Sequence, residues 1–285
     1  RIGRALRHMT EDFSMKVEKL APVGALLLAA CLCTGCNKLK ARDQLNKGVM
    51  AYRNAQFTEA IDHFQRAVRL DPALLNARLY LATALAEQYV PGGDTPDNLK
   101  TGQQAIDAFQ QVLQIDPSNS NALGSIGQIY YETKNYDKAK EFQLRLMKTE
   151  PNNPDPYYWI GVLDWQPTYK NDMLLRQKLN LITPKDPAKP DVLPPLPAKA
   201  IDQLAAQNSA LVDEGIQSLE KALQLKPDYA DAMSYLNLML RQKADLETST
   251  DAREADLARA DSLVSKALVL KKAAAAKAAA APSSS

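Results

Sequence analysis

The most reactive side chains in this sequence of 285 residues are three thiols, Cys31, Cys33 and Cys36. A Cys-x-Cys-x2-Cys cluster could ligate a soft metal ion, but such sites need several nitrogen or sulfur ligands together, and no His or Cys cluster elsewhere completes one. His63 is the only histidine beyond residue 35. It has no evident nucleophile beside it, so no Ser/His/Asp set can be assembled, and it is expected as a solvated group on an outward helix position. Glu59 and Asp62 read as helix-surface charge. Gly92-Gly93 lacks the following Lys-Ser/Thr of a phosphate loop. No catalytic residue, no metal site, no cofactor and no small-molecule substrate are therefore expected. A hydrolase working through carboxylates alone is the catalytic alternative.

The cysteines close a distinctive amino-terminal segment. Lys16 and Lys19 precede an apolar run, Leu20 to Leu32, that is too short to span a bilayer. Cys33-Thr34-Gly35-Cys36 resembles the bacterial lipobox, in which small residues precede the cysteine that receives lipid. The usual Leu three places before that cysteine is replaced by Cys33, with Leu32 one place earlier. The resemblance implies a lipoprotein signal peptide over 1–35, starting near Met15, with lipidation at Cys36 and a linker over 36–40. Each buried acyl methylene contributes about 0.8 kcal/mol to anchoring. Asn37 after the cysteine fits sorting to the outer membrane, facing the periplasm of the bacterial cell envelope. A non-lipidated secretory signal, an uncleaved anchor and the metal cluster are the other readings.

The chain has 35 Lys and Arg against 33 Asp and Glu. Residues 1–35 hold 5 of the bases and 3 of the acids, leaving 30 of each beyond them. A neutral remainder argues against nucleic acid, whose phosphates call for a basic surface. At 46% hydrophobic and 24% charged, the composition is that of a folded chain.

The elements that follow carry a repeated pattern, A-x3-F-x2-A-x4-P. It reads Ala60, Phe64, Ala67, Pro72, then Ala105, Phe109, Val112, Pro117. Weaker copies are Ala139, Leu146, Pro151; Gly215, Leu219, Ala222, Pro227; and Ala260, Val264, Ala267. The spacing resembles helix B of the tetratricopeptide repeat (TPR), a pair of antiparallel helices about 34 residues long. That resemblance implies an all-α fold: a superhelical solenoid of about five helix-turn-helix repeats with two inter-helix insertions, each repeat burying its apolar face on the next.

The repeats fall at 41–74, 75–119, 120–153, 154–229 and 230–270, making a solenoid over 41–270. Gly48, Ala82, Gly127 and Gly161 are the small residues that let helix B approach helix A, and Ala60 is the matching small residue opposite Gly48. The residue equivalent to Phe64 in the third repeat is Gln143, a shifted or wetter packing point. The second repeat carries a turn-rich loop around Val90–Pro96. The fourth carries a larger insertion near 167–210, with a helix near 171–181, a Pro-rich stretch 184–197 and a helix near 198–208, before helix B returns at about Leu211. The Pro-rich stretch is expected as a polyproline strap across the solenoid, or as a docking point for a partner. A polar stretch, Asp245 to Asp251, precedes the last helix, 252–270. Residues 271–285 form an Ala/Lys-rich tail, disordered or fraying as helix.

Family resemblance places partner contacts on the inward positions of the A helices. These are Leu45, Val49, Tyr52 and Arg53; Asn76, Leu79, Thr83 and Glu87; Asn121, Gln128, Tyr131 and Glu132; and Asp155, Tyr158, Val162 and Trp165. Chaperone-binding TPRs clamp a terminal carboxylate with Lys, Asn and Arg; here those five positions hold Leu45, Val49, Tyr80, Asn121 and Ser125, which argues against that subclass. Tyr157, Tyr158, Trp159, Trp165 and Tyr169 are expected to pack against the large insertion, or else to form an interface hot spot. The implied function is a membrane-anchored, non-catalytic scaffold holding a protein or peptide partner in a concave groove. Alternatives are a structural part of an envelope assembly machine, for β-barrel proteins or the type IV pilus secretin, and an accessory to an envelope enzyme.

Overall fold

Helix A and helix B of a repeat meet where one of them has no side chain. A Cβ on Gly48 would lie 2.5 Å from the ring of Phe64, one on Gly127 would lie 2.7 Å from Gln143 Nε2, and one on Gly161 would overlap the Leu219 side chain. In the second repeat the same two places hold Ala82 and Phe109, both buried. What faces Gly48 is therefore the bulky Phe64 rather than the small Ala60, although Ala60 is itself fully buried. A ring or branched side chain thus fills the space that a missing side chain leaves, and packing stays dense without strain.

The computed structural model describes residues 36–182 and 193–280. Among them all regular structure is helical: α1 (36–53), α2 (Phe57–Leu70), α3 (Leu75–Ala86), α4 (Pro96–Ile115), α5 (Ser120–Glu132), α6 (Tyr136–Thr149), α7 (Pro154–Lys178), α8 (Ala198–Leu225), α9 (Ala230–Ala244) and α10 (Thr250–Ala280). The chain divides into two compact units between Pro117 and Ser118. In the first, α3 packs on α4 and α2 on α3. In the second, α5–α6, α7–α8 and α9–α10 form hairpins that stack in order, and α7 also touches α9.

The hairpins are punctuated by two recurring devices. Helices α2, α4, α6 and α8 each stop one residue before a proline, at Pro72, Pro117, Pro151 and Pro227. The residue in between is driven out of helical geometry by the proline ring; Asp71, for example, sits at φ −140°, ψ 91°, while its N–H still bonds to Ala67 O. These prolines are exposed, and the other predicted repeat-packing residues, Ala67, Ala105, Ala139, Gly215 and Ala222 included, are buried. Helices α1, α5 and α7 end instead in Schellman turns, with Ala55, Lys134 and Asn180 at positive φ. Their closing bonds run from Gln56 N to Ala51 O, Asn135 N to Tyr130 O and Leu181 N to Arg176 O.

The large insertion is not a loop carrying separate helices. Helix α7 runs through Pro167 to Lys178, 25 residues against 13 in α5. Helix α8 begins at Ala198 and continues to Leu225, 28 residues against 14 in α6. The expected short helices near 171–181 and 198–208 are extensions of helices A and B, forming an arm on the fourth repeat. Pro167 should have stopped α7. Side chains take up the backbone groups around it: Thr168 Oγ1 donates to Asp164 O and Trp165 O, and Asn208 Nδ2 donates to Thr168 O. The arm has its own small core of Leu175, Leu196, Ala200 and Leu204. Of the Pro-rich stretch, residues 184–192 lie outside the described part. Its end, 193–197, is non-helical, with Leu196 buried and Pro194 O accepting from Arg176 Nη1 at 2.6 Å.

The first insertion is an ordered turn. Asn98 Nδ2 donates to Val90 O and Gly93 O, and its Oδ1 accepts from Val90 N. Helix α10 continues past 270 as exposed helix.

Gly161→Ala should cost about 1–3 kcal/mol in chemical denaturation, because Leu219 is enclosed and cannot retreat. Gly127→Ala should cost clearly less, since what it meets is the terminal amide of a flexible Gln143.

Candidate functional site

In the first unit the predicted inward positions form a modest face. Leu45, Val49 and Tyr52 are half-buried against a core of Ala51, Ala60, Phe64 and Ala84. Leu79 and Thr83 are half-buried, and Arg53, Asn76 and Glu87 are exposed. Tyr52 Oη donates to Glu87 Oε1 at 2.9 Å, joining α1 to α3. Burial first, then the hydrogen bond and charge of Glu87, push the Tyr52 phenol up to about 12.

In the second unit the inward residues of α5, α7 and α9 form a continuous aromatic face. Tyr131 meets Trp159 at 4.9 Å between centroids, and Trp159 meets Tyr158 at 5.4 Å. Tyr158 in turn meets Tyr229 at 5.1 Å and Tyr235 at 5.7 Å. Trp165 sits 5.8 Å from Tyr235 and stacks on Tyr169 at 4.9 Å. Most of these pairs are edge-on or tilted, the arrangement ring quadrupoles favour. The aromatic group of α7 meets rings of α5 and α9, and through Trp165 on Tyr169 it also meets the insertion.

The polar members sit at the margins. Asn121, Gln128 and Asp155 are exposed, and Glu132 is half-buried and accepts from Gln128. Asp155 accepts from Tyr229 Oη at 3.0 Å. Val162 is a correction: it is 1% exposed and cannot meet a partner. Trp159, Tyr229, Asp231 and Tyr235 belong to the face and were not assigned to it. The repeat offset alone points to two of them, because Asp231 and Tyr235 stand in the fifth repeat where Asp155 and Trp159 stand in the fourth.

The phenols report the local field. Tyr158 is raised by burial, then by Tyr235, Asp231, Tyr131 and Asp155. Tyr235 is pushed up to about 12 by burial, with Tyr131 and Asp231 adding to it.

Titratable groups elsewhere are structural. His63 is another correction: it is half-buried rather than solvated, with Nδ1 2.9 Å from Gln44 Oε1 on α1 and Nε2 3.8 Å from Glu59. Among the described residues no group of three or more His, Cys, Asp or Glu side chains could hold a metal ion. Gln143 is buried in the Phe64 place. Asp164 lies 2.6 Å from Lys140 Nζ, and Lys140 also reaches Glu214 at 3.0 Å. Burial lowers Lys140, but the hydrogen bonds and charges of the two carboxylates outweigh it and its pKa is raised. Burial outweighs Lys140 at Asp164, whose carboxyl is pushed up to about 6. A carboxyl near neutrality is what a general base requires, but Asp164 is 1% exposed and no solute reaches it.

Residues 44–101 and 100–160 each match a family model described as Tetratricopeptide repeat. These matches together cover residues 44–160, and the hairpins after them continue the same alternation of helices. More particularly, the chain is 28% identical to the Hsp70-Hsp90 organizing protein of Triticum aestivum over 115 residues, 40% of this chain and 18% of that one. It is 23% identical to the Photosystem I assembly protein Ycf3 of Synechococcus elongatus over 166 residues, 53% of this chain and 88% of that one. It spans less than a fifth of the length of the wheat relative. Among solved structures, a MamA protein aligns with a TM-score of 0.52 at 14% identity over 82% of this chain and 92% of that one. MamA from Desulfovibrio magneticus RS-1 gives the same TM-score at 18% identity, over 82% and 96%. These structures show the fold.

The Asp164 pKa sets a sign for pH dependence. An unfolded Asp titrates near pH 4, so between about pH 4 and 6 the folded chain holds the extra proton. The stability this supplies is complete below pH 4 and is lost as pH rises through 6. Asp164→Asn should flatten that part of the curve, read as the difference in unfolding free energy between wild type and variant across this pH range.

Proposed function

We propose that this chain is a non-catalytic scaffold that holds a protein partner on the aromatic A-helix face of α5, α7 and α9. The supporting observation is the row of half-buried rings from Tyr131 to Trp165 with polar groups at its margins. Large aromatics that present one open edge are the side chains that dominate binding energy at interfaces. They are held by one another, so binding orders little that is not already ordered.

We propose further that lipid on Cys36 tethers the scaffold to an envelope membrane, on the outer membrane and facing the periplasm. The lipobox-like Cys33-Thr34-Gly35-Cys36 supports this reading, and Cys36 is an exposed free thiol. Among the described residues no helix is long and apolar enough to cross a membrane. The relative named for photosystem I assembly, aligned over 88% of its length, favours a role in building a larger complex over one in catalysis.

The test is affinity purification of the full-length chain from gently solubilised membranes, followed by mass spectrometry. Tyr158→Ala should lower recovery of a stoichiometric partner about tenfold or more, as expected for a residue contributing 2 kcal/mol at an interface. Cys36→Ala should move the protein out of the membrane fraction. Undiminished recovery with Tyr158→Ala would remove the aromatic face as the binding surface.

A further inference from the structure

The aromatic face carries carboxylates at its edge. Asp155 and Asp231 are exposed, and Glu132 is half-buried beside Tyr131. Arg241, at the inward place of α9 that corresponds to Trp165 in α7, is already held by Asn237 Oδ1 and Asp261 Oδ1. Tyr158, Tyr229 and Tyr235 all feel Asp231, and its charge raises each phenol. A carboxylate brought to this face by a partner would meet like charge at Asp155, Asp231 and Glu132.

The chain shows what the face accepts by what it lays there itself. The Lys226 ammonium sits 4.3 Å from the centroid of the Tyr229 ring. Lys271 Nζ lies 2.9 Å from Asp231 Oδ1, with both side chains more than half exposed. A cation over a ring and a cation on a carboxylate thus stand side by side at the edge of one surface. Both lysines reach from exposed positions and are held by a single contact each. Arg brings a planar guanidinium that can stack on a ring and pair with a carboxylate at once.

We infer that the α5–α7–α9 face takes a basic, extended segment of a partner protein, with Arg or Lys side chains laid across the rings and paired with Asp155 and Asp231. This rests on the reading of that face as the binding surface, and adds the partner's charge. Apolar residues between the bases would cover Tyr158 and Trp165. An acidic terminal peptide is the wrong ligand here.

Both tryptophans of the chain, Trp159 and Trp165, lie on this face, so intrinsic tryptophan emission reports it alone. The full-length chain is titrated with an unlabelled dodecapeptide of alternating Arg and Leu, and separately with its Glu and Leu counterpart. The Arg–Leu peptide should change the emission saturably, with an affinity that falls as salt is added. The Glu–Leu peptide should not. Asp155→Asn with Asp231→Asn should weaken the Arg–Leu peptide about tenfold or more, with unchanged helical content by circular dichroism as the check on folding. Equal binding of the Arg–Leu peptide to wild type and the double variant would overturn the inference. So would a saturable signal from the Glu–Leu peptide that Tyr158→Ala abolishes; that outcome keeps the face and rejects its charge preference. Silence from both peptides also overturns it, and leaves the wider scaffold reading to the Tyr158→Ala purification.

Discussion

Everything in this molecule depends on how near helix B can come to helix A inside one repeat. Gly48, Gly127 and Gly161 remove a side chain at that crossing, and Phe64, Gln143 and Leu219 fill the gap from the other side. The pairing fixes both the separation and the rotation of the two helices. Once those are fixed, the same residues of each A helix must face inward, and the rings of α5, α7 and α9 fall into one row. The aromatic face is thus a by-product of the packing rule. Its aromatic residues need only occupy positions that the crossing has already oriented.

The fourth repeat shows how strictly that rule is kept. Helices α7 and α8 are each far longer than their counterparts, yet Gly161 still meets Leu219 as Gly48 meets Phe64. The added chain leaves the stack as an arm and returns without shifting it. Buried polar groups make the arm possible: Thr168, Asn208, Asp172 and Arg176 are all essentially inaccessible. Each satisfies backbone or charge that a proline and a long excursion would otherwise leave exposed to an apolar interior. The aromatic row sits at the base of this arm, and Trp165 and Tyr169 carry it towards Pro167.

Much of the architecture could be read from the sequence because its signals are local. A proline two residues after helix B, and a small residue at a constant distance from a large one, survive insertions of any length. Tyr131, Tyr158 and Trp165, read from the sequence as inward positions, are half-buried members of the aromatic row. Val162 was misassigned because α7 is packed by α6, α8 and α9 together, and Val162 is 1% exposed there. The arm was legible only as short helices near 171–181 and 198–208, not as extensions of α7 and α8. Pro167 is a strong local stop signal, and what overrides it is a set of contacts from Asn208 and the α8 side, remote in sequence. The Schellman turns gave no warning either, since Ala55, Lys134 and Asn180 stand where glycine would have announced them. His63 looked solvated because its partner, Gln44, belongs to another helix.

Arg176 has a consequence for the order of events during folding. Its guanidinium is fully buried and meets Asp172 from its own helix, Pro194 O from the returning chain, and Asp245 from the turn after α9. A buried charge with part of its ligand set missing is held badly, and water keeps it until the set is complete. On a nascent chain Asp245 is made long after Arg176. The full set of partners for Arg176 therefore exists only once the chain has been made through the end of α9. Docking of the arm is a local record that the chain extends through α9.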